Sequence, residues 1–204
     1  MTDTTCHLSI SLDGYVAGPD QSLADPLGRG GIELHRWHLG EPEHDADRAA
    51  VGWLMRDRGA YVMGRNMFGP VRGEWAPVEG ADWTGWWGEE PPYHAPVFVL
   101  THHPREPVEK AGGTTFHFVT GGFDAAYAAA VDAAGDLGVA IAGGASTARQ
   151  ALLAGVVDEL ALDVAPVLLG GGERLFDGVG TFGFEPVETV TSQRSTHVRY
   201  RRRP

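Results

Sequence analysis

The chain has 204 residues, 43% of them hydrophobic and 9% aromatic, which is enough for one well-buried core and short for two domains joined by a linker. Its formal net charge of -11 argues against a surface built to neutralise nucleic-acid phosphates, and no apolar run approaches the roughly 20 residues a membrane helix needs. The single cysteine, Cys6, excludes an internal disulfide framework and multi-cysteine zinc or iron-sulfur sites, and no secretory signal is visible in MTDTTCHLSISLDG, so the expectation is one soluble, cytoplasmic domain over 1–204.

In chain order, short β-rich runs alternate with helical segments, which is the pattern of an α/β sheet. Residues 7–12 read as a first strand stopping at Asp13-Gly14, and 60–63 as a second stopping at Gly64. The stretch 73–93 holds Trp75, Trp83, Trp86 and Trp87 among glycines, prolines and acids; it reads as a long loop that forms a lid, a satellite core or a partner contact. Residues 96–100 are almost wholly apolar, as in a strand covered on both faces. Residues 115–119 lead through glycines into an alanine-rich helix over 123–134. A strand over 139–142 meets Gly143-Gly144 and a helix over 145–154 ended by Gly155. Beyond it, 159–167 alternates as a strand, and 184–192 with 196–202 resemble a closing antiparallel pair. The basic run Arg199, Arg201, Arg202 and Arg203 reads as charge that deters edge pairing on a terminal strand.

Three turns hold groups suited to an anion. In VAIAGGASTARQAL a buried strand enters two glycines and a helix start, where free amide N–H groups, the helix dipole and the hydroxyls of Ser146 and Thr147 favour negative charge; a tight turn with a capping hydroxyl is the plainer alternative. In AYVMGRNMFGP, Arg65 follows a strand end and can pair with a phosphate bidentately, although most single arginines are merely solvated. Thr101, His102 and His103 follow a third strand and reach the same rim if the strands run parallel. No three-glycine dinucleotide fingerprint, Walker loop or nucleophile elbow is present.

The segments SISLDGYVAGPD, YVMGRNMFGP, PVFVLTHHPRE and IAGGASTARQALLAGVVDELALDVAPVLLGGGERLF together resemble the dihydrofolate reductase family, in particular its branch akin to the riboflavin-biosynthesis reductase domain. The resemblance implies a dihydrofolate-reductase-like α/β fold with a mostly parallel central sheet flanked by helices. It also implies NADPH as cofactor and hydride transfer to a small heterocyclic or carbonyl substrate, with pterin- and pyrimidine-like rings among the candidates. Gly64, Arg65, Asn66 and Met67 are expected near the cofactor phosphates, and Thr101 and His102 beside the adenosine end. Gly143, Gly144, Ala145, Ser146 and Thr147 are expected around the pyrophosphate and nicotinamide ribose, with Val16 and Ala17 on the nicotinamide side. No carboxylate in PLGRGGIELHRWHLGEPEHDAD aligns with the one that holds the pteridine in true dihydrofolate reductases, which argues against folate.

Asp13, in the motif SLDG, is the candidate for proton delivery or substrate orientation, against the alternative of a turn residue bonding its own backbone; Glu33, His35 and His38 stand in reserve. Trp37 and His38 are the candidate substrate contacts. His35, His38 and His44 with Asp45 and Asp47 invite a metal reading, but solvated histidines in a polar loop are the commoner case, and no metal is expected. Gly170, Gly171 and Gly172 read as a turn, near a dimer contact if the resemblance holds. The expected partners are a small-molecule substrate and a second copy in a homodimer, with no nucleic acid and no membrane. The rival class is a nucleotide-binding regulatory protein without turnover.

Overall fold

Alternating short apolar runs and helices can bury themselves only by laying the strands side by side and covering both faces. The computed structural model describes residues 3–69, 72–78 and 80–203. Its elements in order are β1 (Thr4–Ser11), β2 (Tyr15–Ala17), α1 (Asp45–Leu54), β3 (Ala60–Gly64), α2 (Arg65–Phe68), β4 (Pro96–Leu100), β5 (Val108–Glu109), β6 (Thr115–Val119), α3 (Gly122–Ala134), β7 (Val139–Gly143), α4 (Ala145–Leu153), β8 (Glu159–Ala165), β9 (Glu173–Arg174), β10 (Phe184–Thr191) and β11 (Thr196–Arg202), with a 3-10 turn at Gly31–His35. Among the described residues the main sheet has the order β10-β11-β8-β1-β7-β3-β4-β6-β5, and β2 pairs separately with β9. The pairs from β8 through β6 are parallel, while β5, β11 and β10 are attached antiparallel. The expected α/β architecture, with its closing antiparallel pair, is the one observed.

The two-residue period of a strand divides the core. Val62 of β3 points into a cluster with Cys6, Ile10, Ile141, Ala126, Ala130 and Leu152, covered by α3 and α4. Its neighbours Tyr61 and Met63 point the other way, to Phe68, Val97, Val99 and Phe116. Ala126, Ala130 and Ala134 recur every fourth residue on α3, and so small a face lets the helix lie close to the sheet. Trp75, Trp83, Trp87 and Tyr93 of the long loop pack on the second cluster, so that loop forms a satellite core; Trp86 alone joins Trp87 at the cleft described below.

Two expectations need correction. Residues 45–54 form α1, although no helix is read there from the sequence. The cause is Asp47, which is fully buried beside Ala50, so a charged residue occupies the inward face and hides the helical period. The basic strand β11 is not the sheet edge, because it lies between β8 and β10. Arg199 there binds Glu159 at 2.8 Å and Glu188 at 2.9 Å, and the edge strand is β10, interrupted by Pro186 and an irregularity between Pro186 and Glu188. Among the described residues no helix is long and apolar enough to cross a membrane.

Candidate active site

Parallel strands leave a crevice beyond their carboxyl ends. Here it is a cleft of about 750 Å³. The end of β3 and the start of α2 supply Gly64, Arg65, Asn66 and Met67; the segment after β4 supplies Thr101 and His102; the end of β7 and the first turn of α4 supply Gly143, Gly144, Ala145, Ser146 and Thr147; β2 supplies Val16 and Ala17. All the positions expected to hold a cofactor therefore line one cavity. Leu8 and Ser9 of β1, His35, Trp86, His103 and Glu173 are also among its walls.

Local geometry explains the glycines. A Cβ on Gly64 would stand 2.8 Å from Thr147 Oγ1, so β3 and α4 could not approach as they do. Gly143 has φ +131°, and a Cβ there would meet Leu8 Cδ2 at 3.2 Å and Met67 Sδ at 3.3 Å. The Gly143–Gly144 peptide is cis. Gly144 caps α4 without a side-chain bond, and no acidic residue stands in the first turn, so the amides of Ala145, Ser146 and Thr147 meet no competing negative charge.

Arg65 is the cation of this cleft. Its Cζ lies 3.1 Å from the Trp75 ring centre, and Nη1 reaches Thr101 Oγ1 and Gly73 O at 3.4 Å each. Nε and Nη2 are buried and bond no described atom. Burial, and then Arg105, which approaches the same Trp75 ring at 4.9 Å, pushes the Arg65 pKa down to about 10. A cation held beside another cation with two donors unpaired is chemically suited to an oxyanion.

The candidate catalytic and substrate residues fall elsewhere. Asp13 is not brought to the cleft: its carboxylate accepts from Ser11 Oγ at 2.6 Å and from the Leu169 and Gly170 amides at 3.1 and 2.7 Å. These bonds, that from Ser11 foremost, push its pKa down to about 2 and fasten the β1 turn to the segment after β8. Trp37 is buried at 1% exposure and donates its indole N–H to Ser9 Oγ at 2.9 Å, so it supports the wall from behind. His38 stands behind His35, with His38 Nε2 3.0 Å from His35 Nδ1. Burial first, then His38, lowers the His35 pKa to about 4, and burial lowers that of His38. Of the reserve set, only His35 lines the cleft; the Glu33 carboxylate pairs with Arg36. Among the described residues no group of three or more His, Cys, Asp or Glu side chains could hold a metal ion.

Sequence reasoning missed a buried polar chain behind Trp37. His7 Nε2 lies 2.8 Å from one Asp163 oxygen, His197 Nδ1 2.7 Å from the other, and His197 Nε2 2.9 Å from Asp47. Burial would raise the Asp163 pKa, yet its bonds from His197 and His7 hold it below the ordinary value; burial would lower that of His197, yet Asp163 and Asp47 hold it above. The signal was a charged Asp163 inside the alternating ELALDVA strand.

The family model for the RibD C-terminal domain matches residues 4–198. Among solved structures, a protein assigned to riboflavin biosynthesis in Shewanella sp. PV-4 is similar with a TM-score of 0.66 at 24% identity, over 100% of both chains. A diaminohydroxyphosphoribosylaminopyrimidine deaminase/5-amino-6-(5-phosphoribosylamino)uracil reductase of Thermotoga maritima is similar with a TM-score of 0.57 at 15% identity, over 98% of this chain and 56% of that one. At these identities the likeness is one of fold. Comparison with curated proteins gives no match.

Proposed function

The chain belongs to the RibD C-terminal domain family, and from that membership we propose that it is an NADPH-dependent reductase acting on a small heterocyclic or carbonyl substrate. The observation that supports this reading most is the meeting in one cleft of Arg65, with two unpaired buried donors, and the glycine-led start of α4. Each is suited to an oxyanion, and a dinucleotide offers both a ribose phosphate and a pyrophosphate.

In this reading Arg65 and Thr101 hold the ribose phosphate, the first turn of α4 holds the pyrophosphate, and Val16 and Ala17 shield the nicotinamide. When bound, the reduced nicotinamide supplies the hydride. The chain's own part is to align the two partners and keep water from the reacting face, as Leu8, Val16 and Trp86 are placed to do.

The test is NADPH oxidation, followed by nicotinamide absorbance, with a panel of pterins, quinones, small carbonyls and 5-amino-6-(5-phosphoribosylamino)uracil, the compound in the name of the Thermotoga neighbour. Oxidation dependent on one acceptor class supports the reading. Saturable NADPH binding with no oxidation across the panel replaces it with a nucleotide-binding regulatory protein.

A further inference from the structure

His35 lines the cleft, and His38, a partly exposed ring, stands behind it. The bond between His35 Nδ1 and His38 Nε2 commits one nitrogen of each ring, leaving His35 Nε2 for a cleft ligand and His38 Nδ1 on a half-buried ring. The shared proton can sit on either ring. With it on His38, His35 carries its own hydrogen on Nε2 and is a donor; with it on His35, Nε2 is an acceptor. The pair is held in place, because the His38 ring meets Trp37 edge-on at 4.5 Å and Trp37 is fixed by its bond to Ser9.

We propose that His35 and His38 form a proton relay from solvent to the acceptor atom of the substrate, in which neither ring has to become a cation. The relay rests on the reductase reading. Hydride from the reduced nicotinamide forms the new C–H bond, and the C=O or C=N π pair moves onto the heteroatom. That heteroatom takes the proton from His35 Nε2; the His38 Nε2 proton passes to His35 Nδ1; a solvent proton enters at His38 Nδ1. Both rings begin and end neutral with one hydrogen each, and the oxidised nicotinamide leaves.

The surroundings favour this route over an imidazolium acid. Burial and the neighbouring ring disfavour a charge on His35, and the Asp163 carboxylate only partly offsets them. Of the strands packed on the Gly31–His35 turn, β1 brings His7, β8 brings Asp163 and β2 brings Tyr15; Glu33 and Arg36 pair with each other, and His197 with Asp47 lies beyond Trp37. Asp13 is committed to the backbone of Leu169 and Gly170, and of the titratable groups on the cleft wall, which include His102, His103 and Glu173, His35 is the one bonded to a second imidazole.

The experiment has two arms on the full chain. Long-range proton–nitrogen correlation of the histidine rings at neutral pH should show both His35 and His38 neutral, and His38→Gln should shift the tautomer balance of His35. A cationic ring in the pair, or a His35 signature unmoved by His38→Gln, overturns the relay. In the second arm, with NADPH and menadione or whichever panel acceptor turns over best, His35→Gln keeps an amide donor but cannot pass a proton through. It should lower turnover by about 10²-fold with NADPH affinity retained, and His38→Gln should lower it in the same direction. Undiminished turnover in His35→Gln refutes the relay alone, whereas a wild type that fails to oxidise NADPH with any acceptor of the panel refutes the reductase reading and the relay together.

Discussion

The substitution His197→Leu should be among the most destabilising single changes in this chain. The ring bridges two carboxyl groups at 2.7 and 2.9 Å, and all three side chains are at most 2% exposed. Its loss would leave Asp163 with His7 as its remaining side-chain partner and Asp47, whose Oδ2 already lacks one, with none. Removing one member of a buried ionic group costs about 3–5 kcal/mol, because the charge left behind is desolvated without compensation. At about 2–4 °C per kcal/mol for a chain of this size, the melting temperature should fall by roughly 6–20 °C. His197 has a raised pKa, so its contribution is full below the ordinary 6.5 and is lost as pH rises through its folded value. Asp163 has a lowered pKa, so its contribution is full above the ordinary 3.8 and is lost as pH falls through its folded value. The gap between wild type and variant should therefore be widest between these limits. Circular-dichroism melts across pH 3–9, with a triple variant that adds Asp47→Asn and Asp163→Asn to remove the stranded charges, would check it. A melting point within about 2 °C of wild type near pH 5.5, or a triple variant less stable than the single one, would refute the reasoning.

Arg65→Ala should weaken NADPH by about 10- to 100-fold, the loss of a charge-assisted pair, and leave NADH nearly unchanged; equal losses for both in fluorescence titration would contradict the phosphate assignment. Gly143→Ala places a Cβ at φ +131° against Leu8 and Met67, and should abolish nucleotide binding or shift the melting curve downward; normal affinity with a normal melt would show that the turn tolerates a side chain. Asp13, with a pKa of about 2, contributes stability present above the ordinary 3.8 and lost as pH falls through 2, so Asp13→Asn should flatten the acid limb of the stability profile while turnover persists; selective loss of turnover would restore the catalytic role. Leu12, Leu168 and Phe176 are exposed at 62%, 72% and 45% next to the Asp13 fastening, and a homodimer is expected to cover them; a monomer by light scattering at micromolar concentration would remove that expectation.

The strands over 96–100 and 115–119 were legible to the residue because both are β-rich runs bounded by turn residues, and the lining of the cleft was legible because strand-end glycines and Arg65 advertise themselves locally. What escaped lies in long-range geometry. The helix α1 hid behind Asp47, whose partner His197 is 150 residues away. The pair β2 and β9 was invisible because two or three residues on each side carry no period of their own. Asp13 was ambiguous for the same reason: its motif gives the turn, whereas its acceptor role is fixed by amides 156 and 157 positions later.

The place of β1 has a consequence for how the sheet is made. Of its strands β1 is the first to leave the ribosome, and it lies inside the sheet, between β7 and β8, so its earliest register partner is Val139. At about 5–20 residues per second the 135 residues from Thr4 to Val139 take roughly 7–27 s to synthesise. Throughout that time both edges of β1 are unpaired, so Cys6, Leu8 and Ile10 lack their native neighbours in the sheet. The nascent domain thus holds an unpaired apolar segment until the far side of the sheet exists. It also means the cleft, walled by β1 and by the β2–β9 pair, closes only when nearly the whole sheet is present.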